Sequence, residues 1–224
     1  MIFSADTWQV TLFSIAVGLA STLLILPFGI TLAWLFARKE WPLKSLFETI
    51  VLLPLVMPPV STGLILLKIF GRRSPLGQWL YQMGFEIVFN WKGVLIAMAV
   101  MSFPLLVRSV RISFADVNPR LEQIAATLGA SPLRIFFVIT IPLAYKGIVA
   151  GALLAFSRAL GEFGATILLA GNIPGRTQTL SLAIYNFVQL GKDADAYVLL
   201  AITVALAFSF VWVSEWLLRT RKKA

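Results

Sequence analysis

Arg158 and Glu162 stand four residues apart in an apolar run, so a helix there places both side chains on one face. A charge within a bilayer costs about 3 kcal/mol on insertion scales, so both groups must face protein or water, and they can neutralise each other. One reading is a pair that locks helix packing, and the other is a pair that lines or gates a polar pathway. Pro54, Pro58 and Pro59 interrupt a second apolar run and free backbone groups that need new partners. A broken helix can turn amide N–H groups toward an anion, and Ser61 and Thr62 could add hydroxyl donors to the same contact. Gly171 to Thr177, GNIPGRT, imitates a phosphate-binding loop but has three residues between its glycines, an Arg in place of Lys and an apolar run upstream. The chain therefore carries no nucleotide site of that kind. With no Cys and no His, thiol and imidazole metal ligands, disulfides and histidine-dependent catalysis are excluded. No catalytic residue and no metal site are expected.

These residues lie in a chain that is 59% hydrophobic and 13% charged, with a mean hydropathy of +0.88. A water-soluble domain carries about twice that charged fraction, roughly 25%. The composition is that of a membrane protein, and five runs qualify as spans: 10–36, 46–70, 91–112, 147–170 and 197–218. The third is the weakest, because its apolar stretch must be completed by a turn carrying Arg108 and Arg111, which can snorkel. The first is too long for a signal sequence, and residues 1–9 hold no Lys or Arg, so it reads as a retained span. The fold expected is an all-α, polytopic transmembrane bundle forming a single domain over 1–224.

Orientation follows from the Lys and Arg residues, because cytoplasmic loops carry the excess. Of the nineteen, Lys68, Arg72, Arg73, Lys92, Arg176 and Lys192 fall on one side and Arg158 within a span, leaving twelve on the other. The N-terminus is therefore outside and the C-terminus inside. Trp8, Trp41, Trp91 and Trp216 fall at span ends, where aromatic belts form. Most of the net charge of +9 thus reflects topology, and it gives no reason to invoke nucleic acid.

The longest inner segment, 113–146, is too long for a hairpin. Asn118 before Pro119 and Ser131 before Pro132 are two helix starts, and Gly129 stops the first helix. Leu121, Ile124, Ala125 and Leu128 recur at helical spacing, which predicts a short amphipathic helix, a glycine turn and a second helix leading to the membrane. The start–turn–start pattern imitates a DNA-binding motif, but 133–141 offers Ile, Phe and Val where a recognition helix needs polar side chains. A helix lying in the headgroup layer and a docking knob for a cytoplasmic partner are the two remaining readings.

This loop resembles that of the membrane subunits of binding-protein-dependent ABC importers, whose pattern is E-A-A-x3-G-x9-I-x-L-P. Counting from Gly129 aligns Gln123, Ile124, Ala125, Ile139, Ile141 and Pro142, with Gln123 in place of Glu and Glu122 adjacent. Two further stretches, Leu53 to Leu80 and Ser157 to Tyr185, look like the molybdate branch, which is related to the sulfate permeases. The resemblance implies a type I importer permease in the cell inner membrane, a homodimer surrounded by lipid. Glu122, Gln123, Ala125, Ala126, Gly129, Ser131, Pro132 and Pro142 would dock a cytoplasmic ABC ATPase dimer. It implies no cofactor in this chain: ATP and Mg would sit on the ATPase, and a periplasmic molybdate-binding protein would deliver substrate. Tungstate or sulfate, as similar tetrahedral dianions, are alternative substrates. An ATP-independent channel or ion-coupled carrier is the alternative class.

Overall fold

A computed structural model describes residues 5–219, with side chains from residue 7. The basic residues Arg221, Lys222 and Lys223, which entered the orientation argument, lie outside the described residues. The described residues form helices joined by short loops, without strands. In order the helices are α1 (Ala5–Arg38), α2 (Lys44–Val56), α3 (Pro59–Phe70), α4 (Pro75–Gln82), α5 (Trp91–Ala115), α6 (Pro119–Thr127) and α7 (Pro132–Ile135). A π-turn (Phe136–Thr140) leads into α8 (Ile141–Leu160), followed by α9 (Gly164–Ala170), α10 (Leu180–Gln189) and α11 (Asp193–Arg219).

Four helices are long and apolar enough to cross a bilayer: α1, α5, the continuous rod 132–160, and α11. The α2–α3 pair makes a fifth crossing if counted as one span, but it bends by 111°. The expected run 46–70 is thus present as two helices, broken at the second and third of the prolines that interrupt it. A proline disfavours the α region for the residue before it. Met57 (ψ 147°) precedes Pro58, and Pro58 (ψ 131°) precedes Pro59, so the helix breaks there and restarts with Pro59 at its first position.

The fourth span is also displaced. Instead of 147–170 it begins at Pro132 and ends at Leu160, and α9 continues it after a break at 161–163. The inner loop shrinks accordingly: of 113–146, residues 132–146 already belong to the rod. The π-turn joins α7 to α8 within that rod, with the Ile141 N–H reaching back five residues to the Phe136 carbonyl.

The core forms where α5 packs against α1 and α8, around Phe114, Phe156, Met98, Met101 and Leu106. Small residues permit the closest crossings, as helix association in lipid requires. A Cβ on Gly147 of α8 would overlap the Ser113 hydroxyl of α5, and one on Gly63 of α3 would stand 2.7 Å from the Ala165 Cα of α9. Polar ties join distant segments: the Leu180 N–H donates to Ser14 Oγ (2.8 Å), and Ser181 Oγ donates to the Leu160 carbonyl (3.2 Å). The chain therefore rises through α9, turns back through 171–179 and starts α10 beside the end of α8. The outermost helix, α11, shows Tyr197, Leu200, Val204, Phe208 and Trp212 on an exposed apolar face suited to lipid.

Candidate functional site

Two constellations stand out, one at the break in the fourth span and one on the inner surface. At the break, Glu162 is 1% exposed and its Oε2 lies 2.9 Å from Arg158 Nη1. Its other oxygen accepts the Ala165 N–H at 2.8 Å, so the same carboxylate caps the start of α9. The pair read from the sequence is therefore closed, with a third partner that the spacing did not announce. The Arg158 side chain is 27% exposed and opens to the surface of the single chain.

The start of α3 reaches the same place: a Cβ on Gly164 would stand 2.8 Å from Pro59 Cβ and 3.1 Å from Val60 N. Amide donation by Ser61 and Thr62 to an anion is not available here, because both N–H groups bond the Pro58 carbonyl, at 2.9 and 3.3 Å. Their hydroxyls remain. Thr62 Oγ1 is buried with no partner among the described residues, as are the hydroxyls of Ser157, Thr166 and Thr179. The helices that meet at the break thus carry unanswered polar atoms in an otherwise apolar interior, where such groups need water or a ligand.

On the inner surface the sequence signals are realised at atomic detail. Asn118 Oδ1 accepts from Arg120 N–H (3.0 Å) and Ser131 Oγ accepts from Arg134 N–H (3.4 Å), with Pro119 and Pro132 at the first helical positions. Gly129 has φ 84°; its N–H bonds the Ala126 carbonyl and the next N–H bonds the Ala125 carbonyl, the paired closure that a glycine after a helix allows. No residue of α6 is buried. Its apolar face, Leu121, Ile124 and Leu128, is exposed and joined by Leu133, with Leu128 at 82% exposure. Gln123, Ala126, Ser131, Pro132 and Pro142 are exposed as well, and Ala125 is half-buried. Because α7 runs without interruption into the membrane rod, it is not a free recognition helix.

Glu122 behaves differently from its neighbours. It turns inward, with Oε2 3.1 Å from Arg38 Nε, and its Oε1 accepts the Thr140 hydroxyl at 2.7 Å. Arg38 Nη2 also donates to the Val117 carbonyl (2.8 Å). The carboxylate therefore ties α6 to the inner end of α1 and to the π-turn, leaving Gln123 outward beside Arg120 and Thr127. Arg38 and Thr140 were missed by sequence reasoning. Arg38 lies 84 residues away, beyond any local pattern, but Glu122 as the one glutamate in 113–146 was a usable signal. Glu48 on α2 also pairs with Arg111 on α5 at 3.0 Å, where snorkelling to lipid headgroups was expected.

These features define a helical membrane protein that exposes a capped apolar knob next to the ends of two spans. The chain belongs to the family described as the binding-protein-dependent transport system inner membrane component, whose profile matches residues 6–223. It is 46% identical to the molybdenum transport system permease protein ModB of Escherichia coli, over 100% of this chain and 98% of that one. Against the ModB of Haemophilus influenzae it is 45% identical, covering 94% and 93% of the two chains. The sulfate transport system permease protein CysT of Salmonella typhimurium is 36% identical, over 81% and 67%. Among solved structures, a bacterial alginate ABC transporter matches with TM-score 0.72 at 17% identity, over 94% of this chain and 77% of that one. The MetNI methionine ABC transporter matches with TM-score 0.68 at 17% identity, over 98% and 99%. These two matches establish the shared fold.

Proposed function

We propose that the chain is the membrane-spanning subunit of an ATP-driven importer for molybdate. Two copies would sit on a cytoplasmic ABC ATPase dimer and receive the oxyanion from a periplasmic binding protein. The carrying observation is α6: a capped helix with its apolar face exposed and its carboxylate clamped to two spans fits a handle for a separate motor. The names of the 46% and 45% identical relatives support molybdate, and the lower identity of the sulfate relative makes sulfate the second reading. Closure of the ATPase pair would bias the spans between inward-open and outward-open states, which requires partners that bind the two states differently. ATP and Mg belong to that partner.

Gly129→Glu tests the handle. A side chain at φ 84° is strained, and the new carboxylate enters the groove beside Ala125 and Arg134. Co-purified ATPase or ATP-dependent molybdate uptake is expected to fall by about tenfold or more, the equivalent of roughly 1.4 kcal/mol. Unchanged association and uptake would reject the docking role, and uptake by the purified chain without ATP would favour a carrier. Competition of labelled molybdate uptake by sulfate and tungstate decides the substrate.

The second part of this reading places the oxyanion's route at the break between α8 and α9, past Arg158 and the hydroxyls of Ser61 and Thr62. A Ser61→Ala, Thr62→Ala double variant is expected to reach the membrane normally and to lose most of its uptake. Normal uptake would remove these hydroxyls from the pathway.

A further inference from the structure

The GNIPGRT segment, which supplies no nucleotide site, forms one wall of a cavity of about 570 Å³. The cavity lies between the outer third of α1, the turn at 174–178 and the end of α10. The turn is held in shape by the buried Thr177, whose hydroxyl accepts the Ile173 N–H at 3.0 Å, while the Ile173 carbonyl accepts from Arg176, Thr177 and Gln178. Arg176 and Lys192 line the cavity, and neither makes an ion pair among the described residues. No Asp or Glu is among the described lining residues. Gln178 also lines it; this side chain is 8% exposed and its Nε2 is buried without a hydrogen-bond partner. Two cations without acidic partners beside one space are the chemistry of a phosphate diester site.

The remaining walls are apolar: Val10, Phe13 and Ala16 of α1 face Phe187 and Leu190 of α10. The apolar surface does not stop at the cavity. Leu12, Ala16, Leu19 and Leu23 recur at helical spacing as an exposed stripe down α1. Eleven residues of helix extend about 16 Å, roughly one leaflet of a 30 Å hydrocarbon layer. The count of basic residues puts this end of the bundle outside.

We infer that the cavity is a binding site for an anionic phospholipid of the outer leaflet, with its phosphate between Arg176 and Lys192 and an acyl chain along the Leu12–Leu23 stripe. A small anion would leave the apolar walls uncovered. A zwitterionic lipid would bring its own cation to Arg176 and Lys192, which favours a headgroup with net negative charge.

The test is native mass spectrometry of the full chain, with its co-purifying partners, titrated with phosphatidylglycerol, phosphatidylcholine or inorganic phosphate. Phosphatidylglycerol is expected to bind about tenfold or more tightly than phosphatidylcholine, because only its headgroup brings net negative charge to the two cations. Arg176→Gln with Lys192→Gln abolishes that preference; both side chains are at the surface, so the fold is kept. Ala16→Trp, which obstructs the tail groove, weakens phosphatidylglycerol but leaves any phosphate binding unchanged. Equal retention of the two lipids, or retention of phosphatidylglycerol by the double variant, would overturn the assignment. So would inorganic phosphate binding as tightly as phosphatidylglycerol, which makes the site one for small anions. Disulfide trapping between two copies through Leu12→Cys would also overturn it, by showing that a second chain covers the groove.

Discussion

Replacing Glu162 with alanine is expected to remove most of the protein from the membrane, whereas Arg158→Gln leaves it in place without transport. The carboxylate has two obligations, to the Arg158 guanidinium and to the Ala165 N–H, and it is 1% exposed. Deleting it strands a cation against an apolar wall and leaves the start of α9 uncapped. Breaking a buried pair from one side costs about 3–5 kcal/mol, and the partial exposure of Arg158 places this case toward the lower end. Losses of that size consume much of a domain's stability. Glutamine at 158 is milder: it keeps a donor for Glu162, and Glu162 keeps its hold on α9. What it removes is the positive charge at the surface-facing side of the break. Membrane abundance by immunoblot and labelled molybdate uptake distinguish the outcomes. Normal abundance of Glu162→Ala would refute the structural role. Normal uptake by Arg158→Gln would refute a role for the charge in translocation, and disappearance of that variant from the membrane would reduce the pair to packing.

The second large effect is expected at Glu122. Glu122→Ala should retain the ATPase on purification yet lose uptake by about tenfold or more, since the removed contact lies behind the docking face rather than on it. Arg38→Ala should reproduce the defect. The double variant should be no worse than either single one, because both remove the same clamp between α6 and α1. Gln123→Ala, altering an outward side chain, should act on association instead. Additive losses in the double variant, or an ATPase that no longer co-purifies with Glu122→Ala, would overturn this division between holding the motor and transmitting its stroke.

Features decided by short-range chemistry were legible in the sequence. Asn118–Pro119, Gly129 and Ser131–Pro132 each announce a cap through the residue types that satisfy a helix end, and the structure places all three caps there. The Arg158–Glu162 pair followed from helical spacing alone. Features decided by long-range contact were not legible. Nothing near Glu122 points to Arg38, and nothing in the apolar run after Ser131 says that a π-turn at 136–140 joins α7 to α8 as one rod. The break after Leu160 was hidden because α9 is as apolar as α8, so hydropathy joined them into one span. The prolines at 54, 58 and 59 were seen as an interruption, but only the fold shows that the resulting α3 is laid against α9 through Gly63 and Gly164.

The bare flank of α6 bears on how the cell must make this protein. A copy synthesised in excess of its motor displays Ile124, Leu128 and Leu133 to the cytosol, the kind of sticky surface that chaperones and proteases survey. Under the proposed docking, its lifetime would follow the supply of the mate that shields those side chains, and turnover as well as synthesis would then enforce the stoichiometry of the assembly.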